Sequence, residues 1–120
     1  MNKQLNELIQ RLLFGRAQFH AWHLTTTSYA RHKAFETIYE FLGEHADTLA
    51  EAVQDNNRFI MDGTFTFDAD ENEAESKLRT LGRFCQDIYI EHDECPEYIC
   101  NMLQELERDL HKGLYLLSLE

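Results

Sequence analysis

A chain of 120 residues with 43% hydrophobic and 28% charged content is one domain, with room for one real core but not for two. Its net charge of −11, with only eleven Lys and Arg scattered along it, argues against a basic nucleic-acid-binding surface and suits either a protein that gathers cations or, more commonly, solubility alone. One Pro and five Gly leave no linker or low-complexity tract. No apolar run reaches the length of a bilayer, and Met1-Asn2-Lys3-Gln4 has no basic-then-apolar leader pattern, so the expected location is a cytosol, without membrane contact.

Hydrophobic periodicity predicts four helices. The first runs from about Asn2 to His23, with Leu5, Leu8, Ile9, Leu12, Leu13 and Phe19 recurring at helical spacing. Thr25-Thr26-Thr27-Ser28 should break it, because short hydroxyl and β-branched residues favour caps and turns. The second helix covers about Tyr29 to Asp55 and carries Phe35, Ile38, Leu42, Ala46, Leu49 and Val53 as its apolar stripe. A long connector, Asn56 to Asp70, contains Gly63 and the alternating Thr64-Phe65-Thr66-Phe67, whose phenylalanines are expected to dock on the bundle.

Asp68, Asp70 and Asn72 resemble the start of a calcium loop, but its central Gly and terminal Glu are missing. Asp70 with Glu73 instead reads as a capping box. The third helix then runs from about Glu71 to Glu91, burying Leu78, Leu81, Phe84, Cys85 and Ile88. Pro96 suits the first turn of a fourth helix ending near Leu117, with Ile99, Leu103, Leu106, Leu110, Leu114 and Leu117 inward. Short links inside each helix pair and a long one between the pairs describe a single all-α domain over residues 1–120. Its expected architecture is a ferritin-like four-helix bundle with one long crossover between helices 2 and 3.

Cys85, Cys95 and Cys100 are an odd number with no paired CxxC, which fits neither a disulfide framework nor, with His92, a usual zinc module. The pattern that asks for chemistry lies on the second helix. His32 and Glu36 are one turn apart, as are Asp47 and Glu51, and all four fall within roughly a third of the helix circumference. Both the outer pair and the inner pair are centred between Phe41 and Leu42. The two pairs are separated by roughly 16 Å of helix, so one chain cannot close all four around one ion. A second copy, antiparallel about a two-fold axis near residues 41 and 42, would set His32 and Glu36 of one chain against Glu51 and Asp47 of the other. Two identical metal sites would result. Glu40 and Glu44 flank this face and read as solvated surface, while Gly43 is placed to permit close helix approach. Trp22, Phe19 and Tyr39 read as packing residues, and His45, His92 and His111 as surface residues. No Glu-x-x-His motif exists for a di-iron centre within one chain.

These residues carry a resemblance. The stretch from His23 through His32-Lys-Ala-Phe-Glu36 to Asp47-Thr-Leu-Ala-Glu51 resembles the core of the Dps-type mini-ferritins, and Leu110-His-Lys-Gly-Leu-Tyr-Leu-Leu117 looks like the end of their last helix. The chain is particularly similar to small members of this kind in phage genomes, which would place it in a bacterial or phage-infected host cytosol. The resemblance implies a ferroxidase that oxidises and sequesters Fe(II) with peroxide or oxygen. His32 and Glu36 of one subunit, Asp47 and Glu51 of the partner, and His23 would be its ligands. Iron is the implied metal, with zinc or manganese as competitors for the same donors. The implied partner is a second copy along helix 2, and the family's assembly is a twelve-subunit cage.

The sequence departs from the family in several places. The turn before His32 is short, Trp22 precedes His23 instead of following it, Glu36 stands where Asp is usual, and no basic arm for DNA is present. His20 rivals His23 for the first histidine role. The alternative reading is a non-catalytic helical dimer that keeps the fold as a structural or interaction protein.

Overall fold

The computed structural model describes residues 2–54, 58–91 and 95–119. They form four α-helices: α1 (Asn2–Thr25), α2 (Tyr29–Val53), α3 (Ala74–Glu91) and α4 (Glu97–Leu117). A single 3-10 turn, Glu71–Glu73, leads into α3, and no strand occurs among the described residues. The expected elements are therefore present, with shifts at their ends. Helix α1 continues two residues past His23 before Thr26 and Thr27 end it.

Local chemistry explains the starts. Ser28 caps α2, its Oγ accepting from the Arg31 N–H at 3.2 Å. At Asp70 the anticipated capping box is only half made. The Asp70 carboxylate accepts from Asn72 N at 3.0 Å, and the Asp70 N–H donates to Asp68 Oδ1 at 2.8 Å. That leaves Glu73 without the reciprocal role, and a tight 3-10 turn takes the place of a regular first helical turn. The cluster of Asp68, Asp70 and Asn72 is a run of turn-forming hydrogen bonds.

Each helix packs against two neighbours in the order α1, α2, α4, α3 and back to α1. Specific contacts give the directions. On α2 and α4, Ile38 faces Gly113 and His45 reaches Asp109, so the two run antiparallel. On α3 and α4, Leu78 meets Gly113 and Gln86 reaches Glu107, again antiparallel. Arg31 near the start of α2 bonds Glu71 O and Glu75 Oε1, both at 3.0 Å, at the start of α3. Helices α2 and α3 thus begin at the same end of the bundle.

The chain returns to that end along α1. Asn6 exchanges two hydrogen bonds with the Ile60 backbone at 2.8 and 3.0 Å. Gln10 Oε1 accepts from Asp62 N and Gly63 N, at 3.0 and 2.6 Å. Gln18 accepts from Asp68 N at 2.7 Å and donates to Asp68 O at 3.0 Å. Between them Phe14 stacks on Phe65 at 5.0 Å and meets Phe67 at 5.5 Å. Positions 6, 10, 14 and 18 are one stripe of α1, so three side-chain amides and one ring hold an extended backbone that has no strand to pair with.

The core is the set of inward stripes, including Leu8, Phe19, Trp22, Phe35, Ile38, Leu42, Leu78, Cys85, Leu103 and Leu106. Of the residues expected inside, Leu13, Val53, Phe84 and Leu114 are only half-buried. Gly113 marks a close crossing of α4 with α2 and α3: a methyl there would sit 3.1–3.3 Å from Leu78, Ile38 and Phe41. No helix among the described residues is long and apolar enough to cross a membrane.

A candidate metal-binding face on α1 and α2

The α1–α2 turn is only three residues long, so the last turn of α1 lies against the first turns of α2. This brings His23 and His32 together. Their rings stack with centroids 3.8 Å apart and planes 18° from parallel. Each ring also reaches the other residue's backbone: His23 Nδ1 lies 2.7 Å from His32 O, and His32 Nδ1 lies 2.9 Å from His23 O.

A carbonyl oxygen can only accept, so both Nδ1 atoms carry a proton and donate it. In the neutral ring the lone pair is then on Nε2. The His23 carbonyl belongs to the last turn of α1, whose final carbonyls lack intrahelical partners, so the His32 ring acts as a cap on the preceding helix. Hydrogen-bonding Nδ1–H to a backbone carbonyl is how proteins orient an imidazole whose Nε2 meets a metal ion.

The cluster extends further. Tyr39 packs edge-on to His23 at 5.4 Å and is stacked by His20 at 4.5 Å. His23, not His20, contacts His32; His20 is exposed and its ring centroid is 6.1 Å from that of His23. Glu36, one turn beyond His32, is half-buried and pairs with Lys33 at 4.0 Å. Asp47 and Glu51 are exposed further along α2, as are Glu40 and Glu44.

Among the described residues no three His, Cys, Asp or Glu side chains converge to hold an ion within one chain. On α2 the His32–Glu36 pair and the Asp47–Glu51 pair are kept apart by the helix between them. The stack adds a constraint of its own. Metal–imidazole bonds of about 2.0–2.1 Å lie close to the ring plane, and two nearly parallel planes this far apart cannot share one ion. With the rings as they stand, His23 and His32 can serve one ion only if a ring turns.

Three other readings of the sequence are refined. Gly43 faces α1, not an approaching helix: the Arg16 side chain lies across it, and a Cβ there would come within 2.9 Å of Arg16 Cδ. His45 is not a surface residue; it is half-buried and bonds Asp109 Oδ2 at 2.6 Å. His92 falls outside the described residues. Of the cysteines, Cys85 is fully buried in the core, while Cys95 and Cys100 are half-buried free thiols near the start of α4. Sequence reasoning missed the Asn6, Gln10 and Gln18 strap anchors, although amides at four- and eight-residue spacing on one stripe of α1 were a usable signal.

Fold and face together define an all-helical four-helix chain with a histidine-and-carboxylate surface along one edge. Residues 23–117 match a family of unknown function, DUF5856. The chain belongs to that family. The match begins at His23 and takes in all five candidate ligands. No curated protein and no solved structure matches the chain.

Proposed function

We propose that this is a ferritin-like metal-binding protein whose sites form between two copies, and that it oxidises and sequesters Fe(II) there. The observation that carries the reading is the reciprocal bonding of His23 and His32, which engages Nδ1 of both rings with backbone carbonyls and leaves Nε2 as the nitrogen free to meet an ion. The chain path supports the ferritin-like description: the connector lies along α1 and α3 starts beside the start of α2, so all four neighbouring pairs are antiparallel.

His32 and Glu36 of one copy, with Asp47 and Glu51 of an antiparallel partner, make one nitrogen and three carboxylates. His23 either rotates in or serves a neighbouring ion. Such a donor set of imidazole and oxygen suits iron, with zinc and manganese as competitors. Two Fe(II) each give one electron to hydrogen peroxide, which takes two protons and leaves as two waters. The carboxylates neutralise the extra positive charge of the Fe(III) produced.

The test is the rate of Fe(II) oxidation under limiting peroxide, compared with buffer. The intact chain should accelerate it at least tenfold, and Glu51→Ala should return it to the buffer rate while leaving the helical spectrum unchanged. A chain that binds neither iron nor zinc at micromolar concentration removes this function and leaves the non-catalytic helical dimer.

A further inference from the structure

The outward face of α2 carries five carboxylates, Glu36, Glu40, Glu44, Asp47 and Glu51, four of them exposed and Glu36 half-buried. The nearby cations are Lys33, already 4.0 Å from Glu36, and Arg16, folded across Gly43. Among the described residues of α2, Tyr29 is the one large apolar side chain left exposed. A homodimer interface normally draws its stability from an apolar centre. This face offers almost none, and two copies would meet acid against acid.

We propose that metal ions switch this chain from monomer to dimer: the α2 faces repel when empty and pair antiparallel when divalent cations fill the sites between them. The inference rests on the function proposed above and adds a regulation that the site reading alone does not require. Its physical basis is the spacing about residues 41 and 42. In an antiparallel pair Glu36 comes opposite Asp47 and His32 opposite Glu51, so the repelling carboxylates Glu36 and Asp47 are among the donors an ion would bridge. Burying such charges without a counterion is unfavourable, and one divalent ion per site reverses the sign of the local interaction. Glu40 and Glu44 add repulsion without belonging to the donor set.

Mass action gives the size of the switch. A dimer with two sites that a monomer lacks is favoured by the product of two binding terms. At free metal ten times each site's Kd, the association constant rises about 100-fold.

The experiment is sedimentation velocity on the intact chain at several concentrations, in chelator, in Zn(II), in Mn(II) and in anaerobic Fe(II), with bound metal measured on the same samples. The expected result is a monomer in chelator and a dimer with metal. Glu40→Gln with Glu44→Gln should tighten pairing in chelator by about three- to tenfold, through loss of like-charge repulsion. A dimer that persists in chelator while still binding metal overturns the switch and leaves the proposed site standing. A monomer that holds its full metal complement also overturns it. A chain that binds no metal under any of these conditions overturns the site and the switch together.

Discussion

At the scale of single residues, His32 has two separable duties. Its Nδ1–H caps the end of α1 by bonding His23 O at 2.9 Å, and its Nε2 is the proposed ligand. An asparagine places an amide N–H at nearly the depth of Nδ1 but has nothing at the position of Nε2. His32→Asn should therefore keep thermal stability within about 0.5 kcal/mol while abolishing metal binding. His32→Ala should lose metal binding and also about 1 kcal/mol, the worth of a lost cap. Calorimetry of the two variants beside a zinc titration checks this; equal destabilisation by both would mean the ring is not a cap. The histidines were legible in the sequence as candidate ligands. Their mutual stacking was not, because it depends on how short the turn at residues 26–28 proves to be.

Among the elements, the connector is the least conventional. Its backbone is held by side chains of α1, and Gln18, fully buried, supplies two of the bonds through Asp68. Gln18→Ala would strand both Asp68 backbone groups and should cost about 1–3 kcal/mol. Limited proteolysis should then cut residues 58–70 sooner, with cutting elsewhere unchanged; a variant as resistant as the parent would show that the Phe14 contacts suffice. The four helices were readable from periodicity because each has one dominant inward stripe. The strap was readable only as a long link with alternating phenylalanines. Its anchors are polar residues on α1, and periodicity counts apolar ones. The Asp70 cap was legible, but its reciprocal half was not, for a related reason: the motif specifies residue types, whereas Asp68 took the backbone N–H that Glu73 was expected to receive.

For the whole molecule, the buried Cys85 thiol links stability to alkaline pH. Burial, assisted by the Glu107 charge, pushes it from an ordinary 9.0 up to about 12. Above pH 9 the unfolded chain releases this proton and the folded chain keeps it, so the unfolded state is favoured increasingly as pH rises. The contribution is intact below pH 9 and is lost as pH climbs towards 12, at up to about 1.4 kcal/mol per pH unit. Urea unfolding from pH 8 to 10.5 should fall more steeply for the parent than for Cys85→Ala, which starts less stable but lacks this slope. Parallel curves would place the thiol outside the core. The assembly was less open to sequence reading than the core. Four residues symmetric about positions 41 and 42 suggest a two-fold axis, yet the acidity of the face they occupy matters only once Tyr29 is known to be its one exposed large apolar side chain on α2.

The reciprocal clasp between His23 and His32 has a further consequence for how fast and how tightly an ion is taken up. Both rings are immobilised by hydrogen bonds that exist before any ion arrives, so their rotamer entropy is already spent in folding. Capture at the proposed site then needs no search among side-chain orientations at His32, and the freedom lost on binding falls on the carboxylates of α2 and on His23 if its ring turns to join the same ion. At the proposed site the exposed acids would gather a cation from solution, and the fixed imidazole of His32 would decide where it stops.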